Sequence, residues 1–343
     1  MELARMFVRN SAMILPKLRF MGFGKCRRPN STVTNPEEDP APLFFNEQIQ
    51  KILKTLTRPD PKKVFRSRKD GHKMKDPRYK FMTDEELQAA LRKAQKKLEG
   101  RLQMPPVVKE REPITEVLSK DPALQGFDES KYVFTDITYG VTDANRLIVV
   151  RDPDGKLRKA DWDERFRMNH IYFPIEGREM FTPKMFQDEH LQEILNRKDY
   201  EFILDRACTQ FEPDDPEYQR IVRIVYNAVD SEKEYDRLRS TRHYGPLIFH
   251  LALTKNIDNL LYENITREFI EDAALLIDLF YRIHRSSKSG LDSTGNHTDV
   301  IQKYIETDAA SRGKLTSALN AYNELIKTRK TVESGVKKAH GFD

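Results

Sequence analysis

Histidine and cysteine supply most metal sites and many nucleophiles, and here they are scattered. None of the eight histidines stands in a His-Glu-x-x-His pattern, and His243 and His250 have no carboxylate or thiol at ligand spacing. At helical spacing the expected role is a hydrogen-bonded or surface histidine. Cys26 and Cys208 lie far apart, so they give neither a Cys-x-x-Cys pair nor a disulfide framework, and Cys208 sits where a small core hydrophobe is expected. Gly22-Phe23-Gly24-Lys25 lacks the spacing of a phosphate-binding loop, and no Gly-x-Ser-x-Gly turn is present. Asp152-Pro153-Asp154-Gly155 has the wrong spacing for a calcium loop and reads as a turn. Asp214-Asp215 reads as a helix cap before Pro216. The chemistry these residues support is that of a non-catalytic protein with no cofactor, no metal and no small-molecule substrate.

Charge is the stronger signal. Residues 1–80 carry 19 Lys and Arg against 8 Asp and Glu, while residues 81–343 carry 40 against 46, so the net charge of +5 is N-terminal in origin. Up to Arg28, seven cations face only Glu2, and Pro16, Lys17 and Arg19 break the apolar run that a secretory signal needs. Residues 1–30 therefore resemble a mitochondrial presequence, although an ordinary basic tail would look similar. In an imported protein the sequons at Asn30, Asn264 and Asn296 carry no weight. No apolar run reaches the ~18–20 residues of a membrane span.

A second basic stretch runs from Arg58 to Lys80. Its candidate RNA contacts are Lys62, Lys63, Arg66, Arg68 and Lys69, followed by Lys73, Lys75, Arg78 and Lys80, with Phe65 and Tyr79 placed to stack on unpaired bases. Lacking periodicity, it reads either as an extension that orders on a polyanion or as a solvated linker. Just before it, Phe44–Leu56 has the spacing of a short amphipathic helix that docks on a partner surface.

The elements beyond are mainly helical. Thr83-Asp84-Glu85-Glu86 is a capping box opening a helix through Leu87, Leu91, Ala94 and Leu98, whose basic opposite face reads as solvated. Tyr132–Tyr139, Leu147–Val150 and Lys156–Ala160 predict a small antiparallel sheet. Asp161-Trp162-Asp163-Glu164 opens a further helix, with Trp162 expected in the core. From Thr182 on, apolar residues recur at three and four, punctuated by Pro216 and Gly245-Pro246. Ala207 to Pro213 resembles the end of a tetratricopeptide unit, but no second copy follows at 34 residues. The fold class is mainly α with a small antiparallel β-sheet (α+β), the C-terminal half being an irregular antiparallel helical array.

Several non-periodic segments resemble the mitochondrion-specific small-subunit ribosomal protein family numbered twenty-two in animals. They include Met104-Pro105-Pro106-Val107, Lys131 to Ile137, Leu157-Arg158-Lys159-Ala160 with Trp162, and Tyr172-Phe173-Pro174. Phe211-Glu212-Pro213-Asp214 and Leu238-Arg239-Ser240-Thr241-Arg242 continue the series in the family's order. The resemblance spans roughly residues 81–282; the first eighty residues and the C-terminal tail depart from it. It implies a protein without enzymatic activity that contacts mitochondrial small-subunit rRNA and neighbouring mitochondrial ribosomal proteins in the matrix. It also draws attention to Arg237, Arg239 and Arg242. If their segment is helical, Arg239 and Arg242 share a face, where they would clamp phosphates or pair internally with acids around Glu232 and Glu234.

The organisation expected is a presequence at 1–30, a basic and largely extended arm at 31–80, and a helix–sheet–helix region at 81–180. A helical array at 181–330 and a polar tail at 331–343 complete it. The expected function is structural support of the mitochondrial small ribosomal subunit, bridging rRNA and proteins. The alternative is a free helical-repeat RNA-processing or translation factor.

Overall fold

The computed structural model of the chain describes residues 39–65, 79–126, 128–284 and 296–339. Within them the protein is mainly α with one four-stranded antiparallel sheet, in keeping with the fold class read from the sequence.

The sheet consists of β1 (Val117–Lys120), β2 (Tyr132–Thr135), β3 (Ile148–Arg151) and β4 (Lys156–Lys159), ordered β1-β4-β3-β2. β2 and β4 fall within stretches predicted for the sheet, and β3 runs one residue past Val150. β1 does not announce itself: Val117-Leu118-Ser119-Lys120 is exposed throughout and pairs with β4 through a register shift between Val117 and Ser119. The turn from β3 to β4 needs its glycine. Gly155 has φ +80°, and a Cβ there would come within 2.2 Å of the Asp121 carbonyl oxygen. On one face of the sheet Ile148 and Val150 are fully buried with Ala160, against Met168 of α5 (Trp162–Tyr172). The capping box predicted for α5 is present: Asp161 Oδ1 accepts from the Glu164 N–H at 2.8 Å and Glu164 returns the bond at 3.1 Å. Trp162, however, is only half-buried. The residues that α5 buries are Arg165 and Asn169, because the loop before β3 presents carbonyl groups rather than apolar side chains.

A largely extended arm over residues 31–80 does not describe residues 41–64. These form α1 (Ala41–Phe44), α2 (Glu47–Leu56) and α3 (Pro61–Val64). The stripe of α2, Ile49, Ile52, Leu53 and Leu56, is buried in the protein's own core against α10 (Tyr244–Leu253) and α12 (Ile270–Ile283), not offered to a partner. α4 (Asp84–Arg101) has the predicted capping box at Thr83, yet of its apolar residues Leu98 alone is buried.

The C-terminal array comprises α6 (Asp188–Asn196), α7 (Tyr200–Gln210), α8 (Pro216–Glu232), α9 (Tyr235–Leu238), α10, α11 (Asp258–Thr266), α12, α13 (His297–Thr307) and α14 (Arg312–Ala339). Gly245-Pro246 lies inside the first turn of α10 rather than between helices, where a missing N–H costs nothing. A Cβ on Gly245 would collide with Met104 Sδ at 2.1 Å, so this glycine lets the Met104 segment lie against the array. α14 continues through much of the expected polar tail, since no proline interrupts residues 312–339.

Candidate RNA-facing and protein-facing surfaces

Of the candidate RNA contacts in the N-terminal region, Arg66, Arg68, Lys69, Lys73, Lys75 and Arg78 lie outside the described residues. Lys62 and Lys80 are exposed and make no ion pair among the described residues. Lys63 has a different role. Its ammonium donates to the main-chain carbonyls of Asp236 (2.7 Å), Arg237 (3.1 Å) and Arg239, closing the C-terminal end of α9. Burial lowers its pKa. The neighbouring turn is sewn to the same place: the Ser240 N–H donates to the Thr57 carbonyl at 3.0 Å, and the Asp60 N–H donates to Ser240 Oγ at 3.2 Å. Arg58 makes a two-pronged contact with buried Asp272 at 2.5 and 3.2 Å, its guanidinium 4.0 Å from the Phe269 ring centre.

The arginines of the 237–242 segment are not on one helix. α9 ends at Leu238, and Ser240 has φ +62°. Arg237 is exposed and lies 3.7 Å from Glu234. Arg239 is 8% exposed, 3.3 Å from Asp236 and 3.6 Å from Glu263, and flanked by the rings of Phe269 and Tyr244. Arg267 engages both of the same carboxylates. Burial pushes the Glu263 carboxyl above its usual range, with Arg239 and Arg267 opposing that shift. Arg242 meets Asp205 at 2.7 Å, and His243 Nε2 lies 2.9 Å from the same carboxylate. The acids that hold Arg239 and Arg242 thus come from other elements, α11 and α7, as well as from α9 itself.

The two histidines are packing residues. Burial pushes the pKa of His243 down, against the pull of Asp205. His250 lies beside the Tyr226 ring, centroids 5.5 Å apart, and burial with nearby Arg223 takes its pKa to about 4. An unfolded histidine titrates near 6.5. Between roughly pH 6.5 and 4 the unfolded chain therefore binds a proton that folded His250 refuses, so stability falls as pH falls through that window. His250→Gln is expected to remove about 1–3 kcal/mol of this loss. Thermal midpoints at pH 7 and 4.5 check it: an unchanged pH slope in the variant would contradict the assignment.

Two other surfaces stand out. On α4, Lys93, Lys96 and Lys97 are exposed and unpaired among the described residues, while the helix's far side exposes Leu87 and Leu91. The sequence shows this basic face, but solvation is the simpler reading until the helix is seen standing clear of the core. The second surface is a cleft of about 670 Å³ between α5 and the Phe211–Asp215 bend. Arg111 ties its two sides, meeting Asp215 at 2.5 Å while its guanidinium lies 4.6 Å from the Trp162 ring centre. Trp162 Nε1 donates to the Glu112 carbonyl at 2.8 Å. Arg165 donates to the carbonyls of Asp143, Ala144 and Arg146, and Arg146 donates to those of Asp136, Thr138 and Val141. The loop between β2 and β3 is held by these two arginines. Among the described residues no group of three or more His, Cys, Asp or Glu could hold a metal ion, and no helix is long and apolar enough to cross a membrane.

The small antiparallel sheet and the irregular helical array define a mainly α protein of the α+β class. A family model described as mitochondrial 28S ribosomal protein S22 matches residues 42–285. The chain is 38% identical over 288 residues to the Mus musculus protein named small ribosomal subunit protein mS22, covering 83% of this chain and 80% of that one. It is 39% identical over 286 residues to the Bos taurus protein of the same name, covering 82% and 79%. The chain belongs to the mitochondrial 28S ribosomal protein S22 family. The match extends upstream of residue 81 to take in α2, in agreement with its place in the core. The alternative of a free helical-repeat RNA factor is not supported: the family is ribosomal, and the helices range from 4 to 28 residues.

Proposed function

We propose that this protein is a non-catalytic structural component of the mitochondrial small ribosomal subunit, located in the matrix and bridging rRNA and neighbouring ribosomal proteins. The observation that carries this reading is the family match across residues 42–285. The placement of charge supports a division of labour. Lys63, Arg239 and Arg242 are engaged inside the fold, so they position elements of the body. Lys93, Lys96 and Lys97, with Lys62 and Lys80, are free to meet phosphates. Arg66, Arg68, Lys69, Lys73, Lys75 and Arg78, which stand between Lys62 and Lys80 in the sequence, are further candidates for phosphate contact.

Gradient sedimentation of mitochondrial lysate tests both parts. The full chain is expected in the small-subunit peak, and its absence there would overturn the ribosomal reading. Replacing Lys93, Lys96 and Lys97 by Gln is expected to lower the salt concentration that releases the protein, because each lost phosphate contact removes about one unit from the salt slope. Release at the same salt as the unaltered protein would exclude α4 from the RNA surface.

A further inference from the structure

The two edges of the sheet are built differently. β1 is blunted: its pairing with β4 slips between Val117 and Ser119, and it ends on exposed Lys120. β2, the opposite edge, pairs with β3 in unbroken register from Tyr132 opposite Arg151 to Thr135 opposite Ile148. It holds no Lys, Pro or Gly, and Tyr132, Val133 and Phe134 are 43%, 36% and 52% exposed. Three consecutive large apolar side chains on a regular, uncharged edge make a template for another strand.

The phase of the hydrogen bonds shows which groups this edge offers. The Asp136 N–H donates to the Leu147 carbonyl and the Ala160 N–H to the Ile148 carbonyl, both at 3.0 Å, so odd-numbered residues of β3 face β2 and even-numbered ones face β4. Tyr132 and Phe134 therefore spend their main-chain groups on Arg151 and Val149. Val133 and Thr135 point theirs away from β3, where these N–H and C=O groups have no partner among the described residues. Donors and acceptors alternating along one line match the ladder of a second extended polypeptide; phosphate oxygens would meet the donors alone. Charge points the same way. Lys131 lies 3.7 Å from both Asp152 and Glu164, and Lys159 is paired with Glu116 at 2.6 Å. Beside the Tyr132 ring, Arg151 is offset by Asp128, which accepts from the Tyr132 hydroxyl. The edge thus holds no cluster of free cations to draw a phosphodiester backbone.

We infer that β2 takes up an extended segment of a neighbouring polypeptide as a fifth strand, next to β2 in the order β1-β4-β3-β2. Val133 and Thr135 supply its main-chain hydrogen bonds. Tyr132 and Phe134 flank it on one face and Val133 on the other, favouring apolar side chains in the guest. That the guest belongs to another small-subunit protein rests on the ribosomal reading above.

Amide hydrogen exchange, compared between the full chain alone and the full chain in isolated small subunits, tests the pairing. The Val133 and Thr135 amides are expected to exchange at least about tenfold more slowly in the subunit, while those of Tyr132 and Phe134 are protected in both states. Photoreactive benzoylphenylalanine in place of Tyr132 is expected to give an adduct with one peptide of another small-subunit protein. Val133→Pro removes an N–H that β3 does not use, so the chain alone should melt at nearly its usual temperature. Adduct yield should nevertheless fall at least about fivefold. Phe134→Lys, which leaves the β3 ladder in place and sets a charge on the edge, should lower it too. Equal exchange in both states, or a yield that neither variant lowers, overturns the inference while leaving the ribosomal reading intact. So does an adduct with RNA or with this chain itself, the same copy or a second, or none from subunit-bound protein. A protein missing from the small-subunit peak overturns the ribosomal reading and the named neighbour with it.

Discussion

Leu53→Ala is expected to destabilise the protein by about 2–5 kcal/mol, the range for truncating a fully buried leucine that leaves a cavity. Leu53 is 0% exposed and lies on the stripe of α2 that packs against α10 and α12. Its surroundings have little freedom to collapse: Gly245 already brings α10 close, and a Cβ there would sit 3.6 Å from Leu53 Cβ. Phe45, in the same region but 59% exposed, provides the comparison, and Phe45→Ala should change stability by no more than about 0.5 kcal/mol. Urea unfolding of the full chain decides the matter, with a lower midpoint and an unchanged slope for Leu53→Ala. Equal midpoints for the two variants would mean that α2 is an appended arm after all.

That contrast also marks what the sequence discloses. The spacing of Ile49, Ile52, Leu53 and Leu56 identifies an amphipathic helix, but periodicity is silent on which surface receives the stripe. A neighbourhood that is acidic and proline-rich before the helix and basic after it favours a partner; the structure supplies α10 and α12, about 190 to 230 residues further along the chain. Local chemistry is far more legible. The capping boxes at Thr83 and Asp161, the Asp152–Gly155 turn and the Asp215-Pro216 start of α8 all depend on residues within four positions, and each is found where it is read. β1 escapes because its four residues carry no alternation and its partner strand lies nearly forty residues on.

The candidate surfaces divide in the same way. Positive charge is visible residue by residue, but whether a cation is spent inside the fold depends on distant carboxylates and carbonyls. Lys62 and Lys63 are adjacent and indistinguishable in sequence, yet one is exposed and the other caps α9. The cleft is less legible still. Its polar floor comes from α5, where Arg165 and Asn169 look like the solvent-facing residues of an amphipathic helix, and only the carbonyl-rich loop from Asp136 to Arg146 explains their burial. Trp162 is drawn to that boundary because its ring receives Arg111 while its N–H reaches the Glu112 carbonyl.

Arg239→Ala separates the two meanings of the 237–242 arginines. Breaking a buried ion pair by deleting one partner typically costs about 3–5 kcal/mol, because the remaining charge stays buried. Here Arg267 remains 3.0 Å from Glu263 and also contacts Asp236, so the expected loss is smaller, about 2–4 kcal/mol. Part of it comes from the space left between the Phe269 and Tyr244 rings, which the guanidinium now fills. Arg239→Lys keeps the charge but not the flat group between two rings, and should lose about half as much. The Lys93, Lys96 and Lys97 triple variant should instead unfold within about 0.5 kcal/mol of the unaltered protein, since those side chains are exposed and unpaired among the described residues. Denaturant unfolding and salt release from subunits, measured on the same variants, give opposite orders. An Arg239→Ala protein that is fully stable but released from subunits at lower salt would make Arg239 a phosphate clamp; a destabilised protein with an unchanged release point makes it the internal pin that fixes α9 against α11.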